Sequence, residues 1–137
     1  MVGLVNMKDA VAIVIKKNEK FLLIKRAKKG FAEDYWCPIT GAVERGETQE
    51  QAVIREAREE MGMAVEPIYK VWECFTDDKQ YLLHWWWVKL VNDEIKIKPE
   101  EVKDYQWLNM EEMQKIGKMF KADLNFFKEI AIDLNNN

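Results

Sequence analysis

Glu56, Glu59 and Glu60 fall within five consecutive residues, and the only cations among their immediate neighbours are Arg55 and Arg58. Like charges this close repel at neutral pH, and a bound divalent cation is the simplest way to make all three carboxylates favourable together. Oxygen donors suit magnesium, with manganese as a substitute. Such an ion keeps several waters and fills its remaining positions with substrate phosphate oxygens. Taken alone, E-x-x-E-E also fits a solvated helix whose glutamates pair with the two arginines.

A helix must hold these groups, and both of its ends are written in the chain. Thr48 with Gln51 three residues on is a capping box, and Gly62 is a C-terminal stop, so the spacing predicts a helix over about Gln49 to Met61. At about 100° per residue, Val53, Ala57, Met61 and Ile54 share one side, which is expected to face the core. With Val53 at zero, Glu60 lies near about -20°, Glu56 near about -60° and Glu59 near about -120°. Glu60 therefore borders the apolar stripe, where an ordinary surface helix would not put a carboxylate without a partner.

The helix belongs to a longer run, Gly41 to Met63, reading GAVERGETQEQAVIREAREEMGM. Its fixed positions follow G-x5-E-x7-R-E-x-x-E-E-x-G, with Ala57 and Met63 in the aliphatic slots. At about 6% background per fixed residue, a chance match at one start point is on the order of 10⁻⁹. The run resembles the Nudix box, and on it the chain is identified as a member of the Nudix hydrolases, which cleave nucleoside diphosphates linked to another group with magnesium or a similar ion. The resemblance implies a mixed β-sheet between helices, an α/β/α sandwich of the α+β class, with the box as loop-helix-loop.

It also implies roles. Glu59 and Glu60 match metal ligands, Glu56 matches a ligand or water-positioning base, and Arg55 matches the arginine that pairs with Glu47 to brace the loop against the helix. Gly41 follows Thr40, whose carbonyl corresponds to a backbone metal ligand in some members, and both are expected beside the substrate. Many members have two glycines there. The Thr-Gly variant, within Trp36-Cys37-Pro38-Ile39-Thr40-Gly41-Ala42-Val43-Glu44-Arg45-Gly46-Glu47, resembles the branch acting on dihydroneopterin triphosphate and dATP. Glu101, six residues before Trp107, matches a loop glutamate that acts as base or extra ligand, and Arg26, ending LLIKRA, matches an arginine that contacts substrate phosphate. The implied reaction is water attack at phosphorus in a nucleoside triphosphate or related triphosphate. The alternatives are a silent nucleotide-binding module, a nucleotide-sugar or dinucleoside polyphosphate hydrolase, and isopentenyl diphosphate isomerase, whose cysteine context Cys37 does not match.

The rest of the chain sets bounds. Its 137 residues, 48% hydrophobic and 33% charged, suit one domain spanning 1-137, with Asn135 to Asn137 as a loose tail. A net charge of -3 argues against nucleic acid as a partner and leaves a nucleotide or other diphosphate-containing small molecule. Lys25, Lys28 and Lys29 read as a solvated loop. Two cysteines outside any C-x-x-C pair, no basic leader and no membrane-length apolar run suggest a cytoplasmic protein, monomer or homodimer, with no membrane partner.

Val11 to Ile15 and Phe21 to Ile24 read as a hairpin, and Ala27 to Gly46 as mostly loop. Strands are expected over Ala64 to Phe75, Gln80 to Val91 and Tyr105 to Leu108. Helices are expected from Asn109 through Lys115 and over Ala122 to Leu134, the latter with a stripe of Leu124, Phe127, Ile130, Ala131 and Leu134. Alternation puts Tyr81, Leu83, Trp85 and Trp87 on one strand face and Leu82, His84, Trp86 and Val88 on the other, with one tryptophan available to stack on a base. His84 reads as structural.

Overall fold

A computed structural model describes residues 7–30 and 32–134; the expected tail at Asn135 to Asn137 lies outside them. Two four-stranded sheets carry the fold. In the first, the order is β5 (Ile39–Ala42), β1 (Lys8–Val14), β7 (Tyr81–Asn92), β6 (Ala64–Phe75). β1 runs parallel to β7 and antiparallel to β5, so the sheet is mixed. In the second, β3 (Lys20–Arg26) pairs with β2 (Lys16–Lys17) and β4 (Trp36–Cys37), and with β8 (Val102–Leu108).

The expected hairpin forms only at its tip. Asn18 and Glu19 turn the chain with positive φ of 52° and 64°, and Lys16–Lys17 pairs with Lys20 and Phe21, but β1 leaves for the other sheet. Ala10 to Val14 are buried on both faces, and a doubly buried strand needs a hydrogen-bonded neighbour on each edge, which β5 and β7 supply. The stretch expected to be mostly loop contains β4 and β5. Each is too short to show a period, and each is a strand only because of its partner, β3 or β1.

The first sheet is covered on both sides. Val11, Ile13, Ile39, Trp86 and Val88 pack against the box helix α1 (Gln49–Met61), with Ala52, Val53, Ala57 and Met61 opposite. Ala10, Ala12, Val14, Leu83, Trp85 and Trp87 pack against the C-terminal segment through Phe126, Phe127 and Ala131. The alternation read in β7 therefore sorts its side chains correctly. It leaves no tryptophan of this strand free, however: Trp85, Trp86 and Trp87 are all buried, because each face of β7 is covered by a helix layer. His84 is buried too, with Nε2 2.8 Å from Asp9 Oδ1.

After β8, Asn109 caps α2 (Met110–Met113) with a capping box through Glu112. The expected C-terminal helix is broken into α3 (Lys121–Asn125), a π-helical turn at Phe126–Ile130 and a 3-10 turn at Ala131–Asp133. The wider π turn brings the adjacent rings of Phe126 and Phe127 both inward, where Phe126 stacks on Trp85 at a centroid distance of 4.1 Å. Among the described residues no helix is long and apolar enough to cross a membrane.

Candidate active site

The capping box expected for α1 is formed: Thr48 Oγ1 accepts from Gln51 N at 3.1 Å, and Gln51 Oε1 accepts from Thr48 N at 2.9 Å. Gly62 ends the helix at φ 66°, donating to the carbonyls of Ala57 and Arg58. The face it buries differs from the expected one. Ile54 is exposed, whereas Ala52 is fully buried, so the inward arc runs from Ala52 across Glu56, Glu60, Val53 and Ala57 to Met61. Glu60 is thus near the middle of the buried face. Its residue is 5% exposed, and its Oε2 is buried with no hydrogen-bond partner.

Burial holds the Glu60 carboxyl well above the usual carboxylate range; the adjacent Glu56 and then Glu101 push the same way, and Arg26 offsets part of it. Glu56 is held differently. Arg55 Nη1 donates to Glu56 Oε1 at 2.6 Å, while Nε and Nη2 donate to the two oxygens of Glu47 at 2.7 and 2.9 Å. The same guanidinium reaches the Ala42 carbonyl at 2.9 Å and Glu59 at 3.3 Å. One planar fork therefore ties the end of β5, the loop and the helix together. Its hydrogen bonds hold Glu47 below the usual carboxylate range and raise Arg55 above its own. Glu59 is half exposed at the rim.

Gly41 is where the backbone must come close. A Cβ there would lie 2.1 Å from Glu56 Cδ, so any side chain would displace that carboxyl. Thr40 and Gly41 line the same cleft as Glu56, Glu59 and Glu60.

The facing wall comes from elements far away in sequence. β3 ends at Arg26, where its pairing with β8 slips between Lys25 and Arg26; a bulge of this kind re-aims a side chain. Arg26 lines the cleft, and its Nε is buried without a partner. The chain after β7 folds back over the end of α1: Lys96 N donates to Met61 O at 2.8 Å and Lys98 N to Glu60 O at 2.9 Å. Glu101 N then donates to Lys98 O, and Glu101 O accepts from Ala27 N at 3.0 Å, which pins Glu101 beside the end of β3. Glu101 also lines the cleft, with Lys28 Nζ 3.8 Å from its carboxylate, and Lys98 lines it as well. Glu100 does not.

The cleft, about 430 Å³, is also lined by Cys74, Phe75, Asp77, Tyr81, Leu83 and Asp123. Asp123 has no counterpart in the sequence expectations. Its signal was available: it lies four residues before Phe127 and eight before Ala131, on the apolar side of the helical stripe. Cys37 also borders the cleft, but burial pushes its thiol up to about 12, so it is no nucleophile near neutral pH.

The NUDIX domain family model matches residues 6–130. The chain belongs to the Nudix family. A relative, the NAD-capped RNA hydrolase NudC of Stutzerimonas stutzeri, is 25% identical over 107 residues, covering 78% of this chain and 38% of that protein. The ADP-ribose pyrophosphatase of Methanocaldococcus jannaschii is 48% identical over 56 residues, 39% of this chain and 32% of that protein. The chain thus spans under two-fifths of the length of these curated relatives. Among solved structures, the MutT protein of Methanosarcina mazei has a TM-score of 0.78 at 21% identity, covering 89% of this chain and 91% of that one. The ORF135 protein of E. coli has a TM-score of 0.76 at 26% identity, covering 92% and 89%. These likenesses agree with the layered Nudix fold described above.

Three features of this Nudix site suit a divalent ion. The donors are all carboxylate or backbone oxygens, Glu60 Oε2 is buried without a partner, and Gly41 leaves the space that brings the Glu56 carboxyl against the backbone. Among the described residues no three Asp, Glu, His or Cys side chains already converge as a closed ligand set. Magnesium, which takes one or two carboxylates and fills its octahedron with water and phosphate oxygens, does not require one.

Proposed function

We propose that this chain is a metal-dependent pyrophosphohydrolase acting on a nucleoside diphosphate linked to another group, with a nucleoside triphosphate as the preferred class. The observation that carries this reading is Glu60, a buried carboxyl with an unpartnered oxygen, set among Glu56, Glu101 and Arg26 in one cleft. A merely structural acidic face would be solvated, and its carboxylates would not gather at the centre of a buried helix face.

Glu59 and Glu60 would hold the ion, with Glu56 and the Thr40 carbonyl as further oxygen donors. When bound, the ion neutralises charge on the diphosphate. Arg26, Lys28 and Lys98 line the cleft and draw in the phosphate chain. Glu56 Oε1 already accepts from Arg55, whereas the Glu101 carboxylate accepts no hydrogen bond among the described residues. Glu101 is therefore the group free to orient a water and take its proton as the water attacks phosphorus in line. Arg55 and Glu47 position Glu56 and the loop. No covalent nucleophile is required.

The Thr40-Gly41 variant and the three cations along the cleft favour a triphosphate, cut to monophosphate and pyrophosphate. A second reading, an ADP-ribose or NAD-type dinucleotide, draws support from the names of the curated relatives. A screen of nucleoside triphosphates, dihydroneopterin triphosphate, ADP-ribose, NAD and nucleotide sugars with magnesium, followed by product analysis, separates them. Monophosphate with pyrophosphate supports the first reading. Orthophosphate alone, or activity confined to the dinucleotides or nucleotide sugars, rejects it.

A further inference from the structure

We infer that His84 is a proton-operated clamp: in its acid form it ties β1 to β6 across β7 and steadies the cleft walls that adjoin those strands. His84 is the only histidine of the chain, and its side chain is 6% exposed. In register it stands opposite Val11 of β1 and Glu73 of β6. Its Nε2 is 2.8 Å from Asp9 Oδ1, and its Nδ1 lies 4.0 Å from Glu73 Oε1. That Nδ1 is buried without a hydrogen-bond partner. Among the described residues the charged groups facing the ring are Asp9 from β1 and Glu73 from β6, the latter shared with Lys70. α1, which covers this face of the sheet, offers the ring no charged partner.

The geometry suits an imidazolium better than a neutral ring. A carboxylate only accepts, so with Asp9 on Nε2 the neutral ring carries its hydrogen there and turns a bare lone pair toward the Glu73 oxygen, a buried acceptor facing another acceptor. A proton on Nδ1 turns that repulsion into a second charge-assisted contact. An imidazole changes charge between about pH 5 and 8. The Lys70 ammonium, and to a lesser extent the ring itself, hold Glu73 below the usual carboxylate range, so Glu73 is ionised throughout that interval. What the clamp holds is the cleft. On one side Val43 N donates to Asp9 O at 2.9 Å, directly after Thr40, Gly41 and Ala42, which line the cleft. On the other, Glu73 is followed by Cys74, Phe75 and Thr76, which line it too. β6 is an edge strand, and its pairing with β7 slips between Lys70 and Trp72, just before Glu73, so a side-chain tie at this point suppresses local opening.

Amide hydrogen exchange of the intact chain, with no substrate or metal added, tests this, so the outcome does not depend on whether the cleft hydrolyses triphosphates. Corrected for intrinsic rates, the amides of residues 72–76 should exchange about tenfold more slowly at pH 6 than at pH 8, the size of one charge-assisted hydrogen bond. H84Q, neutral at both pH values, should lose the difference. E73Q changes a half-exposed side chain, so it tests the clamp without disturbing the core. It should also lose the difference, and the ring Nδ1 proton, followed by NMR at pH 6 as the signal of a single histidine, should exchange faster than in wild type. D123N should keep the difference, which separates the clamp from the other buried acid beside the cleft. Equal exchange at the two pH values in wild type, a difference that survives in H84Q or E73Q, or one that disappears in D123N would overturn the assignment.

Discussion

Glu60 and Arg55 lie five residues apart on one helix, and their environments give them separate tasks. Glu60 is buried with an oxygen left over, so it answers to whatever cation arrives; Arg55 is fully engaged with Glu47, Glu56 and Ala42. Glu60→Gln keeps the size and removes the charge. It should lower the rate by several orders of magnitude, while stability without magnesium stays level or rises because the glutamine no longer has to hold a proton that the unfolded chain would release. Arg55→Ala should also lower the rate, but magnesium affinity should fall less than in Glu60→Gln; equal loss in a metal titration would refute the division. Asp123 gives a pH signature of its own. Folding raises its pKa from 3.8 to about 7, so the folded state holds the proton more tightly than the unfolded one. The stability it contributes is intact below about pH 4 and is lost as the pH rises through about 7, with a ceiling of about 4 kcal/mol. Denaturant melts from pH 4 to 8 should show this decline, and Asp123→Asn should make it shallower, leaving the part that the buried Glu60 carboxyl contributes.

At the scale of elements, the site depends on three short devices. α1 starts and stops where its caps dictate, which fixes the axial position of the glutamates. β5 passes so close to Glu56 that only glycine fits at position 41, even though Gly41 has no positive φ to require it. Gly41→Ala should therefore depress turnover about tenfold or more by displacing the Glu56 carboxyl, with thermal stability changed far less than activity. A variant with wild-type turnover would show that Glu56 has room to move. The third device is the return of residues 93–98 over the end of α1, where the Lys98 N bond to Glu60 O leads the chain directly to Glu101. Here the backbone that satisfies a helix terminus also delivers a side chain to the cleft.

For the molecule as a whole, the cleft is assembled from β3, β5, α1, the loop before β8 and α3, so a ligand bridging them should stabilise the fold. Magnesium at a hundred times its dissociation constant should add about 2.7 kcal/mol to the wild-type protein, read as a rise in Tm, and should do little for Glu60→Gln. An equal rise in both would place the ion elsewhere. The extent to which this was legible beforehand follows the range of the forces involved. The box helix, its caps, the strands over residues 64–92 and the sorting of the two faces of β7 rest on neighbours within a turn or a strand length, and the sequence alone determined them. So did the gathering of Glu56, Glu59 and Glu60, since one helix carries all three. Tertiary structure alone decided that β1 and β3 part, that β4 and β5 are strands at all, and that no tryptophan of β7 is free, because each depends on a partner distant in the chain. It also decided which arc of α1 faces inward. Ile54 is the more apolar choice, yet the sheet packs against Ala52, Val53, Ala57 and Met61, and this rotation carries Glu60 from the border of the stripe to its middle. Asp123 reached the cleft by the same kind of decision: its place on the stripe was visible in the sequence, but only the packing of the C-terminal segment against the first sheet shows that the stripe ends at a cavity rather than in the core.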